Sequence, residues 1–155
     1  MSYQFSWYSL QDLVFDSAPP REPPNMNEIL QERSFIVNQV LFIQTGTGID
    51  VHGQNITKAA VRAVENAIWF NSMPGIEKSL PEQQLENMKV QVKLAVPLER
   101  EQLDTESVKK AIPYGSVSVD VTDGGMATSS GITLKDKGDE NDLMYIVNAA
   151  VEVGY

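Results

Sequence analysis

Strict alternation over Met88 to Leu94 restricts this chain more than any other stretch: Met88, Val90, Val92 and Leu94 take turns with Lys89, Gln91 and Lys93. A period of two sends successive side chains to opposite sides of an extended backbone, so the segment reads as a strand with one apolar and one polar face. Such a strand needs neighbours to bond with and a layer to cover its apolar side. The same pattern returns at Val117, Val119 and Val121 against Ser116, Ser118, Asp120 and Thr122. It returns again at Leu143, Tyr145, Val147, Ala149, Val151 and Val153. Upstream, Ser34 to Gln44 is dense in Ile, Val and Phe and is read as a largely buried first strand.

The covering layer is legible too. Ala60, Val61, Val64, Ala67 and Ile68 recur at the spacing of one helical face, with Asn55 or Thr57 as cap and Met73-Pro74-Gly75 as the stop. The alanines on that face permit close approach to a sheet. A second, short helix is expected from Asp104 to Ala111, capped by Asp104 or Thr105 and ended before Pro113. The polar stretch through Asn87 reads as an exposed loop with a turn after Pro81. Asp123-Gly124-Gly125 turns the chain out of a strand, and Met126 to Asn141, without periodicity, reads as a loop.

The expected fold class is therefore α+β: a mixed β-sheet with two helices packed on one face, in the order β-α-β-α-β-β. Residues 34–155 form a single domain of ordinary size. Residues 1–33 stand apart as an arm that combines four prolines with Phe5, Trp7, Tyr8, Leu10, Leu13, Val14 and Phe15. These side chains are too apolar for a solvated tail, so the arm is expected either to fold back on its own domain or to latch onto another subunit. The polar sheet face with Lys89, Gln91, Lys93, Ser116, Ser118 and Asp120 faces either water or identical sheets in a homo-oligomer. The second arrangement, with ligands at the seams, is the favoured expectation.

Charge and composition narrow the function. A formal net charge of -9 argues against a sequence-independent grip on nucleic acid or on an anionic membrane. The absence of cysteine removes disulfides, thiolate chemistry and sulfur-ligated metals. No apolar run reaches the roughly 20 residues of a membrane helix, and no secretory pattern opens the chain, so the expected location is cytoplasmic. Neither metal nor cofactor is expected: one histidine beside Asp50 falls short of the ligand count of a zinc site. GTGIDVHG has neither a phosphate-loop nor a dinucleotide spacing.

The candidate site is Thr45 to Ala60, where the only histidine, His52, sits among Thr45, Thr47, Asp50, Gln54, Asn55, Thr57 and Lys58. Gly46, Gly48 and Gly53 let the backbone turn tightly and approach a ligand. His52 is a candidate general acid or base, since an imidazole exchanges protons near neutrality. The plain alternative is a histidine that only holds its loop together. Lys58 falls in the first turn of the helix, where a cation opposes the macrodipole, so its placement points to a demand other than helix stability. Beside it, free backbone amides can receive an anion.

The run Gly46-Thr47-Gly48-Ile49-Asp50-Val51-His52-Gly53-Gln54-Asn55, continued by Thr57-Lys58-Ala59-Ala60-Val61-Arg62-Ala63-Val64, resembles the signature of the Lin-type family of small conserved hypothetical proteins. The resemblance continues in Met88-Lys89-Val90, Pro113-Tyr114-Gly115, Gly124-Gly125-Met126 and Ile146-Val147-Asn148-Ala149-Ala150. It adds Tyr114, Gly124, Gly125 and Asn148 to the candidate ligand-binding residues. More distantly, the chain is similar to the trimeric group of YjgF-like proteins, bacterial chorismate mutase, and the cyanuric acid hydrolase and barbiturase enzymes. That likeness implies a trimer, or a multiple of trimers, with sites between subunits. In those hydrolases a lysine activates a serine, so Lys58 with Ser129 or Ser130 becomes a candidate catalytic pair.

The resulting expectation is an oligomer that binds a small polar or anionic metabolite at an intersubunit site on the 45–58 loop, with hydrolysis of a cyclic amide or related carbonyl compound as its catalytic form. The competing expectation is a non-enzymatic assembly protein whose arm makes the subunit or partner contacts.

Overall fold

The computed structural model describes residues 37–155. The arm expected over residues 1–33, and the opening of the strand expected from Ser34, lie outside the described residues. Five strands form one sheet: β1 (Val40–Asp50), β2 (Lys89–Val96), β3 (Ser116–Asp123), β4 (Met126–Ser129) and β5 (Leu143–Gly154). The order is β1-β5-β2-β3, and β4 pairs with the opening residues of β5, ahead of β2. β5 runs antiparallel to β1 and to β2, while β2 and β3 are parallel and joined by a crossover. The mixed α+β architecture expected from the pattern is the one observed.

Among the described residues three α-helices accompany the sheet: α1 (Ile56–Trp69), the single turn α2 (Ile76–Ser79) and α3 (Thr105–Lys109). The Asn55 side chain caps α1 by accepting from the Lys58 amide at 2.8 Å, and the Asp104 carboxylate caps α3. α1 buries Ile56, Ala59, Ala60, Ala63, Val64 and Ala67, one face at three-and-four spacing. Register places Gly48 opposite Val147, Gly46 opposite Ala149, and Val92 opposite Val151, so alternate residues of β1, β5 and β2 make the floor on which that face rests.

Two expectations are corrected. The first strand is shifted along the chain and runs through Asp50, so Thr45 to Asp50 is extended and paired with β5 rather than forming a loop. The glycines that looked like turn residues explain the shift: a Cβ on Gly46 would strike the backbone of Ala63 and Ala67, and one on Gly48 the backbone of Ala59 and Ala63. They exist to let α1 lie almost on the strand, and what approaches them is a helix. The second correction concerns Met126 to Asn141, whose first four residues form β4; four residues are too short for alternation to register.

Among the described residues β1 is an edge strand, and α1 closes part of that edge. The Asn66 side chain accepts from the Thr47 amide at 3.0 Å, and Arg62 Nη1 donates to the Ile49 carbonyl at 2.6 Å. Both groups would otherwise offer a template for another strand. Among the described residues no helix is long and apolar enough to cross a membrane.

Candidate functional site

Where β1 ends, the chain must reverse into α1 within five residues, Val51 to Asn55. Gly53 adopts φ 95° and Gln54 φ 43°, both in the left-handed region. Gln54 holds that conformation with its side-chain amide, which donates to the Leu143 carbonyl at 2.7 Å and accepts from the Glu140 amide at 2.8 Å. The Thr57 hydroxyl accepts from the Asp104 amide at 2.9 Å and so ties α1 to α3. Gly53, Gln54 and Thr57, read as ligand residues in the sequence, thus hold the scaffold.

At the base of the reversal lies Asp50, with 0% of its surface exposed. Its carboxylate meets Lys58 Nζ at 2.7 Å and Arg62 Nη1 at 3.2 Å, and accepts from the Asn55 amide at 3.0 Å. A buried carboxylate requires partners of this kind, since an isolated one would forfeit its hydration without return. Lys58 and Arg62 are one turn apart on the same helix face and of like sign, an arrangement that repels unless an anion sits between them. Asp50 is that anion.

The second element is His52. Its Nδ1 lies 2.8 Å from a carboxylate oxygen of Asp139, a residue 5% exposed. Asp139 also accepts from the Gly53 amide at 2.6 Å and the Leu134 amide at 2.7 Å. The bond from Leu134 is the main reason its pKa is lowered, with His52 and Gly53 adding to it against the cost of burial. An ionised carboxylate only accepts, so Nδ1 donates this bond, and in the neutral form of the ring Nε2 is the acceptor.

Asp50, Val51, His52, Lys58, Arg62 and Lys137 line one cavity of about 330 Å³. The three sequence candidates Asp50, His52 and Lys58 therefore converge. Lys137 comes from the loop after β4 and makes no ion pair with an acidic side chain among the described residues.

The other candidates are elsewhere. Thr45, Gly46, Thr47 and Asn148 border a depression of about 580 Å³ with Asn66, Lys93 and Thr122, mostly on the sheet face opposite the helices. There Thr47 Oγ1 donates to Asn148 Oδ1 at 3.0 Å. Tyr114 lines an apolar groove at the far end of α1. Gly125, at φ 68°, lies so close to the carbonyls of Ile146 and Ala95 that a side chain would not fit, and there it passes the chain from β3 to β4. Ser129 Oγ donates to Asp142 at 2.5 Å and Ser130 Oγ to the Ile132 carbonyl at 2.9 Å. Neither serine lines the cavity with Lys58. Ser129 is paired across the edge of β5 opposite to the one β1 occupies, two strand spacings away or roughly 10 Å.

Sequence reading missed Arg62, Lys137 and Asp139. Arg62 carried a signal, being four residues after Lys58 on a helix. Lys137 and Asp139 carried none, since their loop lacks periodicity and Asp139 is 87 residues from His52. Among the described residues no group of three or more acidic or histidine side chains has a metal-holding arrangement.

The profile of a family described as conserved hypothetical protein (Lin0512_fam) matches residues 40–153. A crystal structure of an FtsZ-like protein of unknown function from Nostoc punctiforme is similar over 74% of this chain and 93% of its own length, with 39% sequence identity and a TM-score of 0.68. No protein of curated function matches.

Proposed function

We propose, for a chain that belongs to the conserved hypothetical protein family Lin0512_fam, that the cavity at the start of α1 binds a small anionic metabolite. One observation carries the reading: in a chain of net charge -9, Lys58, Arg62 and Lys137 gather around a cavity whose lining holds a single carboxylate. Asp50 is already engaged by two cations and an amide, so it fixes the positions of Lys58 and Arg62 and leaves the cationic excess for a guest. The cavity lies at the low end of the usual ligand range, which suits a carboxylate or phosphate on a compact skeleton.

His52 extends the reading toward chemistry. With Asp139 holding Nδ1, Nε2 can take a proton from water or from an acidic N–H of a bound compound, while Lys58, in the lining of the same cavity, supplies positive charge for a developing oxyanion. Hydrolysis of a cyclic amide or related carbonyl compound is the reaction class that uses both, with an activated water in place of the serine expected from sequence.

The test is NMR titration with inorganic phosphate, malonate and a cyclic imide. Binding by at least one is expected, with affinity falling about tenfold, or about 1.4 kcal/mol, in Lys137→Ala. His52→Asn is expected to retain binding and to abolish any turnover. Absence of chemical-shift change at Lys58, Arg62 and His52 with all three probes at millimolar concentration overturns the reading.

A second observation favours self-association. The sheet face away from the helices has no covering layer among the described residues, and Ile43 and Ile49 are 56% and 40% exposed on it. We propose that identical copies meet there. Light scattering that gives a monomer mass for the full chain, unchanged in Ile43→Asp, counts against it.

A further inference from the structure

At the C-terminal end of α1 the surface is apolar. A groove of about 460 Å³ lies between the end of that helix, the connection through Ile76 and the start of β2, with Ile68, Met73, Ile76, Met88, Ile112 and Tyr114 in its walls. Met73 and Tyr114 are half exposed, and Trp69 and Phe70, which end α1, are nearly fully exposed. Apolar surface gathered like this is what a protein normally covers.

The chain itself arrives at the groove. The amides of Asn38 and Gln39 donate to the Tyr155 carbonyl at 2.8 and 2.9 Å, and Val37 lies against Gly154. Val153, the preceding residue of β5, is part of the groove wall. The 36 residues before Val37 include seven apolar or aromatic side chains between Phe5 and Phe15, a segment whose only charged residue is Asp12.

We propose that Phe5–Phe15 of the same chain occupies this groove. Between Phe15 and Val37 lie 21 residues, and since a chain spans up to about 3.5 Å per residue, reach imposes no restriction. Tethering at that length gives an effective concentration on the order of millimolar, far above that of a second copy in dilute solution. The segment brings apolar side chains with little charge, the chemistry the groove lacks a partner for.

The test uses the full chain. The protein has two tryptophans, so Trp69→Phe leaves Trp7 as the sole reporter within the segment. The expected result is Trp7 emission blue-shifted from hydrated indole, with acrylamide quenching at least twofold weaker than for free tryptophan amide. Adding Met73→Lys at the groove rim should return both to the hydrated values with the far-ultraviolet circular dichroism unchanged. Tyr114→Lys gives the same readout should Met73→Lys disturb folding. Quenching as free as that of tryptophan amide, or quenching that neither groove substitution moves, overturns the proposal. Protection that is lost on dilution through the micromolar range also overturns it, because the occupant is then the arm of a second copy.

Discussion

The two ends of α1 are about 20 Å apart on one helix, yet they belong to different kinds of surface. At the first end Asp50, Lys58, Arg62, His52 and Lys137 enclose a charged cavity; at the other Ile68, Met73 and Tyr114 border an apolar groove. What lies between them is the same throughout: Ala59, Ala63 and Ala67 against Gly48 and Gly46. The middle of the helix is fixed by backbone contact and has no latitude. The ends, free of that contact, carry the side chains that can meet something else.

The largest expected effect breaks both ends at once. Gly48→Ala drives a methyl into the backbone of α1, and because neither partner is a flexible side chain the helix must lift. We expect a loss of at least about 3 kcal/mol in urea denaturation, or no folded protein. Asp50→Ala should break only the charged end. It leaves the Asn55 amide unpaired and Lys58 and Arg62 facing each other, so about 3 kcal/mol is expected, with amide exchange accelerating around Val51 to Arg62 more than around Met88 and Tyr114.

Acidification should sharpen the comparison. The pKa of Asp139 is lowered by its hydrogen bonds, so its contribution is complete above the ordinary carboxylate value and is lost as pH falls from about 4 through the lowered folded value. NMR should show the His52–Gly53 and Leu134–Asp139 segments loosening in that window, while Met88, Ile112 and Val153 hold. Thr57→Ala, which removes the acceptor of the Asp104 amide, should cost about 1 kcal/mol of thermal stability. Trp69→Phe should be the mildest, within about 0.5 kcal/mol, because the ring is nearly fully exposed and stands outside the groove lining.

Much of the fold was written in local pattern. Met88 to Leu94 and Leu143 to Val153 alternate because one side of each faces α1, and that helix betrays itself by its alanines. β4 was illegible for want of length. The limits of β1 were illegible because Gly46 and Gly48, taken as signs of a turn, are small for the sake of a helix that packs upon them. The second error has a general cause: a glycine reports that space is scarce or φ is positive, and only the partner says which.

The site divides the same way. Asp50, His52 and Lys58 could be picked out because polar and titratable groups cluster at one strand-to-helix join, and neighbours in sequence stay neighbours in space across a short reversal. Covalent connectivity alone determined that part, together with the sheet-and-helix class and the acidic, cysteine-free character of the chain. Tertiary structure decided the rest. It brought Asp139 to His52 and Lys137 to the cavity across more than 80 residues, and it sent Thr47 and Asn148 to the other face of the sheet. Alternation of side chains along a strand and the return of a distant loop operate over distances that no local spacing records.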